Sequence, residues 1–189
     1  MNRAVFLDRD GVLNRVVLRD GRSYPPTSVR EVEFFPGVSE ALAALRQAGF
    51  RLIVATNQPD VATGLQQRDV VEAIHDRLRQ TFPIDDIEVC YHIDEDGCAC
   101  RKPKPGMLFA AAGKWHLNLR HCVMVGDRWR DIEAGKAAGC KTILVRGYDA
   151  EQKAQDPDAL VDSLAEASAL ILSNRWRSAQ MIEVKHATP

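Results

Sequence analysis

Five short apolar runs alternate with segments of helical periodicity, and that alternation restricts the chain more than any other feature. The runs are residues 4–7, 51–56, 87–92, 122–125 and 141–145. Each is rich enough in aliphatic residues to read as a strand buried on both faces. Between them, residues 37–48 place Val38, Ala41, Leu42 and Leu45 on one helical face before Gly49. Residues 67–82 do the same with Val70, Val71, Ile74 and Leu78, and further helices are predicted over 105–115 and 131–138. Strands alternating with helices predict an α/β fold: a doubly wound, three-layer, Rossmann-like arrangement around a mostly parallel sheet. A last amphipathic helix is expected after Asp156, with Leu160, Leu164, Ala167 and Ile171 in step. Residues 1–175 read as one domain without room for a cap domain, and residues 176–189 as a polar tail. Residues 14–35 make an irregular connection, long enough to suggest a flap over whatever the sheet edge binds.

In an open parallel sheet, ligands bind beyond the carboxyl ends of the strands. The first strand ends in Asp8-Arg9-Asp10-Gly11. A carboxylate there can attack phosphorus as a nucleophile, the role assigned to Asp8. Asp10 can protonate the leaving alcohol and later deprotonate water. Such a pair can also ligate magnesium, and Gly11 allows a turn close to a phosphate. The same four residues also suit an ordinary turn. The second strand ends in Thr56-Asn57, whose hydroxyl and amide can orient a phosphoryl oxygen, or equally cap a helix. The fourth strand leads into Gly126-Asp127 and, four residues on, Asp131. Asp127 is expected to ligate magnesium directly. Asp131 would act from behind it or through water, with a helix N-cap as the alternative.

The chain has five cysteines, and three of them cluster around a histidine: Cys90, His92, Cys98 and Cys100. Three thiolates and an imidazole can close a tetrahedral zinc site with no open position, which predicts a structural Zn2+ pinning the intervening loop. Buried free cysteines are the alternative, but Asp94-Glu95-Asp96-Gly97 marks an exposed loop. Cys122 and Cys140 fall in or beside strands and read as core. The cluster leads directly into Arg101-Lys102-Pro103. Lys102 can offset charge building on a transferring phosphoryl group, and Arg101 can fork onto a further phosphate or sugar oxygens.

With 25 basic and 26 acidic residues the formal charge is −1, so no basic footprint for nucleic acid or an anionic membrane is present. Met1-Asn2-Arg3 runs straight into the first strand, so no leader is expected, and no apolar stretch is long enough to span a bilayer. Together with the unpaired cysteines this predicts a cytoplasmic protein, taken as a monomer.

Asp8-Arg9-Asp10-Gly11, Thr56-Asn57, Lys102 and Gly126-Asp127 through Asp131, in this order, resemble the motifs of the haloacid dehalogenase superfamily of phosphatases. Thr56-Asn57-Gln58, the Cys90/His92/Cys98/Cys100 cluster and Arg101-Lys102-Pro103 narrow the resemblance to a capless group. That group contains the heptose bisphosphate and histidinol-phosphate phosphatases. The resemblance implies a Mg2+-dependent phosphatase with Asp8 as nucleophile and Asp10 as general acid/base. It places magnesium on Asp8, the Asp10 main-chain carbonyl and Asp127. Thr56 and Lys102 would grip the phosphoryl group, and Asn57, Arg101 and Arg128 would contact phosphate or the rest of a small phosphorylated metabolite, foremost a sugar phosphate. Gln58-Pro59-Asp60-Val61-Ala62-Thr63-Gly64 departs from the Gln-Ser-Gly-Ile-Ala-Arg-Gly of the heptose enzymes. Heptose bisphosphate is the first expectation, and histidinol phosphate or another phosphomonoester the alternative. A non-catalytic phosphosugar-binding module is the alternative of a different class.

Overall fold

A computed structural model describes residues 2–147 and 154–173. Its main sheet follows from the pleat of the first strand, β1 (Ala4–Leu7). Val5 and Leu7 point into one apolar cluster, while Ala4 and Phe6 point into another on the opposite face. Every residue of β1 is fully buried. A strand covered on both faces needs a helical layer on each side.

A small antiparallel hairpin follows, β2 (Val17–Arg19) with β3 (Arg22–Tyr24). The remaining elements are α1 (Val38–Gln47), β4 (Arg51–Asn57), α2 (Arg68–Thr81), β5 (Asp86–Cys90), α3 (Gly106–Trp115), β6 (Val123–Gly126), α4 (Trp129–Ala137), β7 (Lys141–Val145), β8 (Ala159–Val161) and α5 (Leu164–Leu172). The six-stranded sheet has the order β5-β4-β1-β6-β7-β8, with every described pairing parallel. Leu42 and Leu45 of α1, Leu78 of α2 and Ala167 and Ile171 of α5 pack on one face. Met107, Leu108 and Ala111 of α3 pack on the other. The predicted doubly wound α/β architecture is therefore present.

From β1 the chain moves outward to β4 and β5, then returns to place β6 on the other side of β1. That reversal opens a crevice at the carboxyl end of β1, between β4 and β6. Leu7 pairs with Val54 on one side and Val125 on the other, which sets Asp8 level with the ends of both neighbours.

Three expectations change. Leu160 is not on the last helix: residues Ala159–Val161 pair with β7, and the helix starts at Leu164. Ser163 decides the boundary, its Oγ accepting from the Glu166 amide at 3.2 Å. The strand predicted over 87–92 ends at Cys90, releasing His92 into the loop. The connection 14–35, read as irregular, contains the β2–β3 hairpin, which turns at Asp20-Gly21 with positive φ at both residues. The tail expected over 176–189 lies outside the described residues. Among the described residues no helix is long and apolar enough to cross a membrane.

Candidate active site

Asp8 is positioned by the sheet itself: its amide donates to Val125 O at 2.9 Å, continuing the β1–β6 pairing one residue past the strand. Lys102 reaches it from the loop after the cysteine cluster. The Lys102 ammonium lies 2.9 Å from Asp8 Oδ1 and 2.5 Å from Asp131 Oδ1, and donates to Ala55 O at 2.7 Å. Burial opposes the lysine's charge, but the Asp131 and Asp8 carboxylates outweigh it and hold the ammonium above its ordinary range.

Asp127 completes the arrangement. Carboxylate oxygens of Asp8, Asp127 and Asp131 lie within 4.8 Å of one another. Gly11, at φ +87, has no room for a side chain, because a Cβ there would sit 2.1 Å from Asp127 Oδ2. Gly126 is similarly forced, since a Cβ would meet the Asp131 Cβ at 2.2 Å. Burial, then the Asp8 and Asp131 charges, pushes the Asp127 carboxyl well above the usual carboxylate range. Asp8 is pushed up to about 6, chiefly by burial, against the pull of Lys102. Asp127 Oδ1 is buried and has no hydrogen-bond partner among the described residues. Buried like charges and an orphaned carboxylate oxygen facing a single lysine fit a hard divalent cation with oxygen ligands.

Asp10 stands apart from this group. Its carboxylate is turned to Arg9, whose Nη2 lies 2.8 Å from Oδ2, and it also accepts from Asn14 Nδ2 and Gln58 Nε2, each at 2.9 Å. Burial would raise its pKa, but the Arg9 charge and these donors prevail and hold it low. The side chain of Asp10 is thus not among the clustered carboxylates. Asp131 likewise is not an N-cap: the helix starts two residues earlier, at Trp129. Its Oδ2 accepts from the Arg128 amide at 3.0 Å while Oδ1 holds Lys102.

Asp8, Asp10, Lys102 and Asp131 line one cleft of about 260 Å³, together with Tyr24 of the hairpin, Thr56, Asn57, Asp60, Arg101, Arg128 and Arg130. Thr56 is buried at its floor and accepts from Gln58 Nε2 at 3.0 Å. Asn57 differs from expectation in what it holds. Its Oδ1 accepts from the Lys102 amide at 3.1 Å and its Nδ2 donates to Lys102 O at 3.0 Å, so it anchors the lysine's main chain. Neither Thr56 nor Asn57 caps a helix through its side chain. Arg101 and Arg130 both bind Asp94, at 2.8 and 2.9 Å.

The four residues of the predicted zinc set converge. Their sulfur–sulfur distances are 3.1, 3.4 and 3.7 Å, and Cys90 and Cys100 lie 3.6 and 3.3 Å from His92 Nδ1. A tetrahedron with zinc–sulfur and zinc–nitrogen bonds of ordinary length has edges of about 3.8 and 3.6 Å. The donor set and spacing therefore suit a tetrahedral ion. Cys122 and Cys140 are buried in the core, as expected.

Sequence reasoning missed Arg9, Gln58, Asp94 and Arg130. Arg9 and Gln58 stand inside the motifs that carry the resemblance, and Arg130 in the run Arg128-Trp129-Arg130 after the fourth strand, but none of them was given a role.

A HAD-hydrolase-like family model matches residues 99–167. D-glycero-beta-D-manno-heptose-1,7-bisphosphate 7-phosphatase of Pseudomonas putida is 40% identical over 149 residues, 76% of this chain and 82% of that protein. The D-glycero-alpha-D-manno-heptose-1,7-bisphosphate 7-phosphatase of Burkholderia mallei is 35% identical over 173 residues, covering 85% and 88%. A crystal structure of D,D-heptose 1,7-bisphosphate phosphatase from B. bronchiseptica, complexed with magnesium and phosphate, aligns with a TM-score of 0.77. Its sequence is 35% identical, and the match covers 91% of this chain and 98% of that one.

Proposed function

Because this chain belongs to the HAD family, among the heptose bisphosphate phosphatases, we propose that it removes the 7-phosphate of D-glycero-D-manno-heptose 1,7-bisphosphate through a phosphorylated Asp8. It is a phosphoric monoester hydrolase. The observation that carries the mechanism is the Asp8 carboxylate, pinned 2.9 Å from the Lys102 ammonium beside an unpartnered Asp127 oxygen.

In the first half-reaction an Asp8 oxygen attacks phosphorus, the bond from phosphorus to the sugar oxygen breaks, and that oxygen takes a proton from Asp10, which is ionised in the empty site and takes up that proton as the charge of the arriving phosphate raises its pKa. Asp10, now ionised, then takes a proton from water as the water oxygen attacks phosphorus, which frees phosphate and restores Asp8. Lys102 and Thr56 hold the non-bridging oxygens, where negative charge develops. Bound on Asp8, Asp127 and the Asp10 main-chain carbonyl, magnesium supplies neutralisation of the phosphoryl charge. Asp131 keeps Lys102 in place. Arg101, Arg128 and Arg130 would receive the sugar and its second phosphate. Zn2+ on Cys90, His92, Cys98 and Cys100 would fix the loop from which Asp94 holds Arg101 and Arg130. Such reduced thiolates suit the cytoplasm. Asp60, in the wall of the cleft, favours one second reading, histidinol phosphate, since a carboxylate there could face an ammonium group.

The test is magnesium-dependent phosphate release from a panel of both anomers of the heptose bisphosphate, fructose bisphosphate, histidinol phosphate and a phosphorylated oligonucleotide. A clear preference for a heptose bisphosphate is expected. Preference for histidinol phosphate would move the assignment to the second reading, and preference for the oligonucleotide would overturn it.

Magnesium and protons should compete for the cradle. The empty site binds protons more tightly than ordinary carboxylates do, Asp8 near 6 and Asp127 also raised. Below about pH 7 the cation must displace at least the Asp8 proton, so the magnesium concentration giving half-maximal rate should rise as pH falls. A half-saturating concentration independent of pH would contradict this.

A further inference from the structure

Arg9 is the largest fully buried side chain of the described residues, and the reaction outlined above gives it nothing to do. Its guanidinium faces Asp10 with Nε 3.2 Å from both carboxylate oxygens and Nη2 2.8 Å from Oδ2. The third nitrogen, Nη1, lies 3.3 Å from Nε2 of His75, which is likewise wholly buried. Arginine has donors only, so His75 Nε2 must be the acceptor and its ring proton must sit on Nδ1. Burial, then the Arg9 charge, pulls the His75 pKa down to about 4, which keeps that lone pair available. Nδ1 faces Glu72 Oε2 at 3.4 Å, one turn away on α2, outside good hydrogen-bond geometry. Glu72 in turn accepts from the Tyr91 hydroxyl at 2.5 Å. A line of buried and half-buried polar groups thus runs from α2 to the general acid.

We propose that His75 and Arg9 are positioning residues for the reaction: His75 seats the Arg9 guanidinium, and the seated guanidinium fixes the direction of the Asp10 carboxylate. The inference rests on the phosphatase reading and adds to it a residue 66 positions from the arginine it seats. A planar guanidinium held at three points can impose one orientation on a carboxylate, which a lysine in the same place cannot. With the acceptor on His75 removed, Nη1 becomes a buried donor without a partner, and the guanidinium must turn to find another. The Asn14 and Gln58 contacts to Asp10 would remain, so the carboxylate would be misaligned but not lost.

General-acid positioning has a signature that general loosening of the fold lacks. A sugar oxygen needs a proton as it leaves, whereas nitrophenolate leaves well without one. The experiment compares kcat and KM of wild type, His75→Leu, His75→Gln and Arg9→Lys on the wild type's best sugar phosphate and on nitrophenyl phosphate, with thermal melts alongside. His75→Leu is expected to lower kcat/KM for the sugar phosphate by roughly tenfold or more through kcat, part of what general acid catalysis supplies. kcat/KM for the nitrophenyl ester, which reports only the steps through phosphorylation of Asp8, should be nearly unaffected, while its kcat shares any loss in the water-activating step that both esters have in common. His75→Gln, whose side-chain oxygen can accept from Nη1, should recover most of the loss. Arg9→Lys keeps the charge without the fork and should repeat the pattern of His75→Leu, which covers the case in which that variant does not fold. Equal losses in kcat/KM on both esters, or a wild-type ratio of kcat/KM between them in folded variants, would overturn the proposal. A wild type that hydrolyses neither ester would instead fail the phosphatase reading itself.

Discussion

Replacing Asp8 with asparagine is expected to reduce phosphate release on the order of 10⁴-fold or more, the scale seen when a covalent nucleophile is removed. An amide oxygen is too weak a nucleophile to open the phosphomonoester. The Thr56, Lys102 and Asp127 contacts cannot replace the missing bond to phosphorus. The same substitution should leave the fold intact and raise its melting temperature in the absence of divalent cations. The direction follows from the buried cluster. An acid whose pKa is raised by folding stabilises the protein below its unfolded value and loses that contribution as pH rises through the folded value. For Asp8 the folded value is about 6, so at neutral pH the ionised carboxylate works against the fold, crowded by Asp127 and Asp131. Asparagine carries no such charge, and Lys102 keeps Asp131 as its partner at 2.5 Å. The gap between the melts of variant and wild type should therefore open between about pH 4 and pH 6 and persist above. A variant with substantial turnover would contradict the covalent mechanism, and one that melts lower at neutral pH would contradict the account of the charge cluster.

The second large effect is expected at the cysteine cluster. Cys90→Ala should lose bound zinc and lower the melting temperature by roughly 10 °C or more, because metal binding contributes directly to folding and a domain of this size loses a few degrees per kcal/mol. Cys90 belongs to β5, while His92, Cys98 and Cys100 lie on the loop that ends in Arg101 and Lys102. Release of the proposed ion would free both the strand end and the segment carrying Lys102, so activity should fall with stability. Within that loop Asp94 binds Arg101 and Arg130, which ties the cleft wall to the same segment. Cys122 provides the control: it is buried and not one of the four converging residues, and burial pushes its thiol up to about 11. Cys122→Ala should retain one zinc per chain. Metal-free wild type melting at the same temperature as the zinc-loaded protein would contradict the structural role.

What could be read from the sequence, and what could not, divides along one physical line. β1 and β7 fall where the apolar runs predict them, because strands covered on both faces need continuous aliphatic sequence. Asp8, Thr56, Lys102 and Asp127 were legible because each stands at or just beyond a strand end or a metal-site motif, where topology alone brings residues together. β8 was not legible. Leu160 fits the 3.6-residue repeat of α5 as well as it fits a strand, and only pairing with β7 and the Ser163 cap separate the two. The hairpin turn, by contrast, carried its usual Asp-Gly signature at Asp20-Gly21. Arg9 and His75 were illegible for a different reason. A residue between two aspartates at a strand end draws no attention by itself, and His75 on the buried face of α2 is ordinary. Their meeting across 66 residues exists only in three dimensions. Asn57 was found, but its amide shapes the loop of Lys102, a task that no local pattern distinguishes from binding a ligand.

The central claim is that phosphate passes through Asp8. It is tested most directly by mixing enzyme, magnesium and the preferred sugar phosphate, quenching in acid within the first turnover, and locating any phosphoryl adduct by mass spectrometry. The account predicts one phosphoryl group on the peptide containing Asp8, absent in Asp8→Asn and gone once turnover is complete. Full phosphate release in that first turnover with no adduct on Asp8, at any quench time, would contradict it.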